Sequence, residues 1–123
     1  MLKKEGPGWR IIRDSSRDNF STLIGGDTWA IELNKSEWEN LVKVVIDLSD
    51  QYKSVKEQLM GDEAITLELE RSPWLAILKG DQYGWNLRLI LSASGLLNRG
   101  AEVYWPRNVT NHVANAMRTM WDS

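Results

Sequence analysis

The sequence lacks cysteine and has only one histidine and one phenylalanine in 123 residues. Without cysteine the chain has no disulfide, no thiolate metal site and no cysteine nucleophile, and this fits a reducing compartment. It has no apolar run of the roughly eighteen residues that a membrane span needs. The N-terminal stretch MLKKEGPG also lacks the apolar segment of a signal peptide. These absences predict a cytoplasmic protein that does not contact a membrane.

Motifs for catalysis and cofactor binding are missing as well. The chain has no G-x-x-x-x-G-K-[ST], G-x-G-x-x-G, G-x-S-x-G or H-E-x-x-H motif. Weaker candidates are His112 as a general base, Glu68 with Glu70 as a carboxylate pair, and the acidic and hydroxyl groups of the segment DSSRDN. Surface histidines, alternating solvated glutamates and polar turns are far commoner, so we expect no enzyme, no metal site and no cofactor.

The composition, with 42% hydrophobic and 26% charged residues, is that of an ordinary globular protein. The length favours a single domain over residues 1–123, with halves of approximately 1–61 and 62–123. The net charge of −2 and a pI near 5.4 give no overall attraction for nucleic acid. The charge is nevertheless uneven, at +2 for residues 1–26, −6 for 27–81 and +2 for 82–123.

Hydrophobic periodicity predicts several strands. GWRIIRD indicates a strand before the turn DSSRDN, and FSTLIGGDTWAIEL indicates a hairpin in which Gly25 and Gly26 take positive φ. AITLELERS alternates apolar and polar residues, and PWLAILKGDQYGWNLRLIL indicates a second hairpin that turns at Gly80 and Asp81. SASGLLNRG is typical of a loop, and AEVYW indicates a last strand that ends at Pro106.

Two amphipathic helices are predicted. The first has Ser36 and Glu39 as a capping box and Gly61 as its stop signal. The second is capped by Asn108. Their apolar stripes follow three-and-four spacing. The stripe of the first helix is Trp38, Leu41, Val42, Val45, Leu48, Tyr52, Val55 and Leu59, and that of the second is Val109, Val113, Ala116, Met117, Met120 and Trp121.

The strand-to-helix junction around TWAIELNKSEWENL has a counterpart 72 residues later, around GAEVYWPRNVTNHV. The caps Ser36 and Asn108 coincide at this offset, although sequence identity between the segments is negligible. The pattern predicts an α+β fold with two antiparallel β-sheets and two helices, in which a strands-then-helix unit repeats about a pseudo-two-fold axis. The alternative is an α+β fold that merely alternates these elements.

Seven tryptophans are a rich supply for a chain of this length. Trp9 with Arg10 and Arg13, and Trp85 with Arg88, place aromatic and basic residues together on predicted strands. Aromatic rings that stack on bases, next to cations that bind phosphates, are typical of single-stranded nucleic-acid binders. The five residues therefore form a candidate nucleic-acid site, although tryptophans of sheets more often lie in the core.

The segments GW, LIGG, WAIEL, SEW, LELE and WP resemble a small cyanobacterial family of uncharacterised proteins, a domain-of-unknown-function family, over essentially the whole chain. Members of that family look like the Whirly fold, which the coactivator positive cofactor four and related single-stranded nucleic-acid binders share. The resemblance implies two sheets of about four strands with helices that cross between the halves. The lysine-glycine-lysine strand motif of Whirly proteins has no counterpart, because LKGDQ has an aspartate there.

Two hypotheses from different classes follow. The first is a single-stranded nucleic-acid-binding or regulatory module, and the second is a protein-interaction or assembly module that uses a sheet edge or an aromatic patch. The sequence leaves both open, and it leaves the choice between a monomer and a homo-oligomer open.

Overall fold

The computed structural model describes residues 1–92 and 99–120. The elements within these residues form two four-stranded antiparallel sheets, in the order β1-β2-β3-β4 and β5-β6-β7-β8, which we call the N-terminal sheet and the C-terminal sheet. The strands are β1 (Leu2–Gly6), β2 (Trp9–Arg13), β3 (Thr22–Gly25), β4 (Ala30–Leu33), β5 (Ile65–Arg71), β6 (Trp74–Asp81), β7 (Gly84–Leu91) and β8 (Ala101–Trp105). The helices are α1 (Lys35–Lys56) and α2 (Arg107–Met120). The predicted α+β class with two antiparallel sheets and two helices is confirmed.

Strand β1 was not predicted from the sequence. It pairs with β2 in an antiparallel hairpin that joins Gly6 to Trp9. The two residues between them are Pro7 and Gly8, and Gly8 has a φ of 83°. Glycine adopts this left-handed conformation without the steric penalty of a Cβ atom, so the Pro-Gly pair allows the tight turn.

The hairpin turns differ from the sequence prediction in two places. Among the glycines that the structure describes, Gly8 has a positive φ, whereas Gly25 and Gly26 do not. Gly26 is required for a different reason, because a Cβ atom at this position would overlap the Trp29 indole. Gly80 and Asp81 belong to β6, and the β6–β7 turn is made by the next two residues.

Both helix starts also differ from the prediction. The cap of α1 is Asn34 rather than Ser36: its Oδ1 accepts a hydrogen bond from Glu37 N at 2.8 Å, and Glu37 Oε1 accepts one from Asn34 N at 2.9 Å. This is a capping box shifted by two residues, because β4 ends at Leu33 and leaves Asn34 as the first residue able to cap. Helix α2 begins at Arg107, so Asn108 lies inside its first turn.

The end of α1 precedes the predicted stop at Gly61, since the helix ends at Lys56 with Glu57 as its C-terminal cap. Leu59, the last residue of the predicted stripe, lies beyond the helix, and Val55 is only half-buried. The other stripe residues of α1 are buried as predicted, and so are those of α2 up to Met120. Trp121 lies outside the described residues, as does most of the predicted loop over 92–100.

The two helices cover one face of the C-terminal sheet. Helix α1 packs on β5 and β6, while α2 packs on β7 and also on β2 of the N-terminal sheet. The side chains of β6 and β7 that face the helices are buried, and they are Trp74, Ala76, Leu78, Trp85, Leu87, Leu89 and Leu91. The predicted shared face of Trp85, Leu87, Leu89 and Leu91 is therefore confirmed, and the main core lies between this sheet and the helices.

The N-terminal sheet contacts the C-terminal sheet at β8. Trp105 is fully buried and donates from Nε1 to the carbonyl oxygen of Gly25 at 3.1 Å. Trp29 donates from Nε1 to the carbonyl oxygen of Tyr104 at 3.1 Å, and the rings of Trp29 and Trp105 lie 5.2 Å apart. The β3–β4 turn is thus held beside β8. The predicted boundary between the two halves, near residue 61, falls between α1 and β5.

Candidate functional site

The face of the C-terminal sheet that points away from α1 and α2 is called the outer face here. Side chains alternate along a strand, so the neighbours of each core residue of β6 and β7 point to this face. No described helix or strand covers it, since the helices contact the sheet from the other side. Its central residues on β6 and β7 are Leu75, Ile77, Lys79, Asn86, Arg88 and Ile90.

A basic and aromatic cluster lies on the outer face. Tyr104 of β8 is directly opposite Arg88 of β7, and Lys79 of β6 is directly opposite Asn86. These four residues and Ile77 line one shallow depression. Tyr104 is 45% exposed, so much of its ring is open to solvent. We call Lys79, Asn86, Arg88 and Tyr104 the basic-aromatic strip.

The strip is only weakly neutralised by nearby acids. Arg88 Nε lies 3.5 Å from Glu102 Oε1, but both side chains are more than half exposed. An ion pair with this exposure contributes little, of order 0–1 kcal/mol, and exchanges readily with solvent or a competing anion. Lys79 has no ion pair within the described residues. Both cations are therefore available to a ligand.

A second feature of the outer face is apolar. Leu75 of β6 is directly opposite Ile90 of β7, and both are half-buried although no described helix or strand packs over them. Ile77 continues this patch along β6. Glu70 and Glu102 stand at its two ends, opposite Leu75 and Ile90 on the neighbouring strands. The patch is small and has an acidic border.

The structure separates the two residues that were predicted on β7. Trp85 is 0% exposed, faces the helices, and donates from Nε1 to Asn111 Oδ1 of α2 at 3.0 Å. Its ring also lies 6.0 Å from that of Tyr52. A ring buried in this way offers no surface for stacking, so the prediction that Trp85 is part of an accessible platform is wrong. Arg88 points to the opposite side of the strand and is exposed, as predicted.

The three predicted residues of β2 lie on the N-terminal sheet. Trp9 is half-buried and stacks on His112 of α2, with 6.3 Å between the ring centroids and 2° between the planes. The Arg13 side chain is fixed by two contacts within the protein. Its Nε donates to Thr22 Oγ1 at 3.1 Å, and its guanidinium lies 5.1 Å from the centroid of the Trp38 ring. Arg10 is exposed on the other side of β2. The five predicted residues are not brought together on one face.

Sequence reasoning missed Lys79, Asn86 and Tyr104. One signal was present, because the alternation of AEVYW places Glu102 and Tyr104 on the side opposite the buried Val103 and Trp105. What the sequence did not contain was the register of β7 with β8, which brings Tyr104 beside Arg88.

The weaker chemical candidates occupy ordinary positions. His112 is exposed on α2, and Glu68 and Glu70 are exposed on β5. In the segment DSSRDN, Asp14 Oδ1 accepts hydrogen bonds from Ser16 Oγ at 2.6 Å and Ser16 N at 3.1 Å, and these bonds lower the pKa of Asp14. Over residues 1–92 and 99–120, no three histidine, cysteine or acidic side chains come close enough to hold a metal ion.

Near the β6–β7 turn, Asp81 connects three elements. Its Oδ1 accepts a hydrogen bond from Tyr83 N at 2.9 Å, and its carboxylate pairs with the guanidinium of Arg107 at the start of α2. The backbone hydrogen bond from Tyr83, together with Arg107, lowers the pKa of Asp81. Its carbonyl oxygen accepts from the hydroxyl of Tyr52, whose pKa is raised by burial and by the nearby Asp81 carboxylate.

Fold and surface together define an α+β protein whose described residues form two four-stranded antiparallel sheets, two helices and an outer face that none of them covers. Neither helix in the described part of the chain has the length and apolar character that crossing a membrane requires. A family model matches residues 4–120, and the chain belongs to this family, the domain of unknown function DUF1818.

A crystal structure of a protein from the cyanobacterium Prochlorococcus sp. NATL2A is similar to this chain, with 84% sequence identity and a TM-score of 0.94. The match covers 98% of this chain and 99% of that one. The Prochlorococcus protein is described as having unknown function and as a member of the DUF155 family, whereas the family model that matches here is DUF1818. The comparison with curated proteins gives no match.

Proposed function

We propose that this protein is a non-catalytic module that binds single-stranded nucleic acid on the outer face of the C-terminal sheet. The observation that carries the proposal is the position of Tyr104 directly opposite Arg88, with both side chains pointing out of the sheet. An exposed ring next to a cation is the arrangement on which a base stacks while its phosphate is neutralised.

Each member of the basic-aromatic strip has a role in this proposal. Tyr104 stacks on a base, which contributes about 1–3 kcal/mol. Arg88 and Lys79 bind phosphates, and the Asn86 amide both donates and accepts hydrogen bonds at a base edge. Because the chain as a whole carries a net charge of −2, affinity depends on these local cations. Binding therefore weakens as salt is added, with a log–log slope of about −1.4 for two phosphate contacts on a single strand.

The resemblance to Whirly proteins and positive cofactor four supports the proposal, since those proteins bind single-stranded nucleic acid. In the same proposal, the β1–β4–α1 and β5–β8–α2 units are related by a pseudo-two-fold axis. Superposition of one unit on the other tests this relation. A rotation near 180° that matches the strands in order supports it, and a clearly different rotation contradicts it.

Tryptophan fluorescence gives a direct test of binding. Trp29 is half-buried and its indole donates to the carbonyl oxygen of Tyr104, so a ligand on Tyr104 changes the surroundings of a natural fluorophore. Titration with oligothymidine at low salt should change the emission saturably, and added salt should weaken the change. No change at low salt with excess oligothymidine contradicts the proposal.

A matched pair of variants locates the site. Tyr104→Ala removes the stacking ring and should weaken oligothymidine binding by roughly tenfold or more. Tyr83→Ala removes the other exposed tyrosine, which lies in the β6–β7 turn, and should leave binding unchanged. Equal effects of the two substitutions would place the binding site elsewhere.

A second candidate function is an assembly module, and the apolar patch of Leu75, Ile77 and Ile90 favours it. Half-buried aliphatic side chains with an acidic border are more typical of a protein contact than of a phosphate path. In this case sedimentation velocity should show association that grows with protein concentration and is abolished by Ile90→Lys. A monomer at all concentrations rejects self-assembly through this patch.

A further inference from the structure

The first strand of the C-terminal sheet, β5, has an open edge. It spans Ile65–Arg71 and pairs with β6 on one side, while no described strand pairs with the other side. An unpaired edge presents a row of backbone N–H and C=O groups that can pair with another strand. At seven residues, β5 is longer than the other edge strands β1, β4 and β8.

The apolar row of β5 is incompletely covered. Ile65, Leu67 and Leu69 face α1, and all three are half-buried. Their direct partners on the next strand are Gly80, Leu78 and Ala76, which are buried. The core side chains of β6 are therefore shielded from solvent, whereas those of β5 remain partly exposed. Apolar side chains from an added strand would cover this row.

The outward row of β5 is acidic and unneutralised. Glu68 and Glu70 are exposed, and neither has an ion pair or a side-chain hydrogen bond within the described residues. Their direct partners on β6 are the aliphatic side chains of Ile77 and Leu75, which supply no counter-charge. A cation on a strand added to the other side would lie directly across from each carboxylate.

We infer that the β5 edge is a docking site for an extended protein segment that alternates apolar residues with lysine or arginine. In an added strand, alternate side chains fall on opposite faces. The apolar set packs beside Ile65, Leu67 and Leu69, and the basic set pairs with Glu68 and Glu70. Backbone hydrogen bonds supply affinity and the two side-chain rows supply specificity.

A second copy of β5 does not fit this edge equally well. Two β5 edges side by side would bring two acidic rows together, and like charges on neighbouring strands are destabilising. The charge of the row thus selects a basic partner and discourages self-pairing. The inference is independent of nucleic-acid binding, because it uses another part of the sheet.

A labelled synthetic peptide that alternates lysine and valine tests the inference by fluorescence anisotropy. Saturable binding is expected, and the double variant Glu68→Lys with Glu70→Lys should weaken it by roughly tenfold or more. The matched double variant Glu39→Lys with Glu57→Lys makes the same charge change at an exposed position of α1 and at its exposed C-terminal cap, and should change binding less than about threefold. Amide hydrogen exchange should slow along β5 when the peptide binds.

Two further peptides separate docking from simple charge attraction. A peptide with the same composition but with its lysines and valines in separate blocks should bind much more weakly. A peptide that alternates glutamate and valine should not bind. The inference is overturned if the peptide with separate lysine and valine blocks binds as well as the alternating one. It is also overturned if the wild-type protein binds neither peptide, which would mean that the glutamates only prevent other strands from pairing with the edge. Self-association that the β5 double variant changes would assign the edge to a second copy instead.

Discussion

The two edges of the C-terminal sheet differ in how they are completed. At β8 the chain covers its own edge: Trp29 donates to the carbonyl oxygen of Tyr104, and Trp105 is fully buried against Gly25. At β5 the apolar side chains remain half-exposed, and the acidic side chains have no ion pair in the part of the chain that the structure describes. The β8 edge of the sheet is thus packed against the N-terminal sheet, whereas the β5 edge is partly exposed. The comparison indicates where stability is concentrated and where we propose that a partner binds.

The largest effect is expected at the closed edge. Trp105→Ala removes a fully buried indole and its hydrogen bond to Gly25, and should lower the free energy of unfolding by about 3–5 kcal/mol. Urea denaturation monitored by circular dichroism measures the change. A loss below about 1 kcal/mol would mean that the contact between the sheets is not a source of stability.

A matched pair of leucines compares the interior of the sheet with the open edge. Leu78 of β6 and Leu67 of β5 lie directly opposite each other, but Leu78 is 0% exposed while Leu67 is half-buried. Leu78→Ala should cost about 3 kcal/mol, and Leu67→Ala about half as much, because part of its surface is already in water. Equal costs in urea denaturation would show that the β5 edge is as closed as the interior.

A smaller effect is expected from the hydrogen bond that fixes Trp29 to β8. Trp29→Phe keeps an aromatic ring against Trp105 but removes the Nε1 donor, and should cost about 1 kcal/mol. The same denaturation experiment checks this value. If the substitution leaves stability unchanged, the indole hydrogen bond does not hold the β3–β4 turn at the edge.

The smallest effect concerns pH and the ion pair between Asp81, at the end of β6, and Arg107, at the start of α2. The folded protein lowers the pKa of Asp81 below its ordinary value of 3.8, so the ionised carboxylate stabilises the fold above that value. This stability should be lost as the pH falls from about 4 through the lowered pKa. In Asp81→Asn, stability at neutral pH should be lower and its fall below pH 4 shallower. Parallel acid profiles for wild type and variant would exclude this role of Asp81.

Local patterns predicted much of the fold because each depended on neighbouring residues. The buried stripes of both helices and the shared face of Trp85, Leu87, Leu89 and Leu91 followed from periodicity. Strand β1 was missed because LKKEG has no apolar alternation and is defined by pairing with β2. The α1 cap was misplaced by two residues since Ser36 matched the capping pattern as well as Asn34, and only the end of β4 decides between them.

The candidate site was less predictable, because it depends on contacts between distant segments. Alternation with three leucines already indicated that Trp85 points inward, and the structure places its ring against Asn111 and Tyr52. Tyr104 joins Arg88 only through the register of β7 with β8. The open edge of β5 likewise follows from the strand order, which a single sequence does not contain.

We propose above that the outer face of the C-terminal sheet binds single-stranded nucleic acid. An amide NMR titration with oligothymidine at low salt tests it most directly. The largest shifts are expected at Lys79, Arg88 and Tyr104, while the amides of β1 and β2 should stay unchanged. Shifts confined to the N-terminal sheet, or no shifts at saturating oligothymidine, would contradict it.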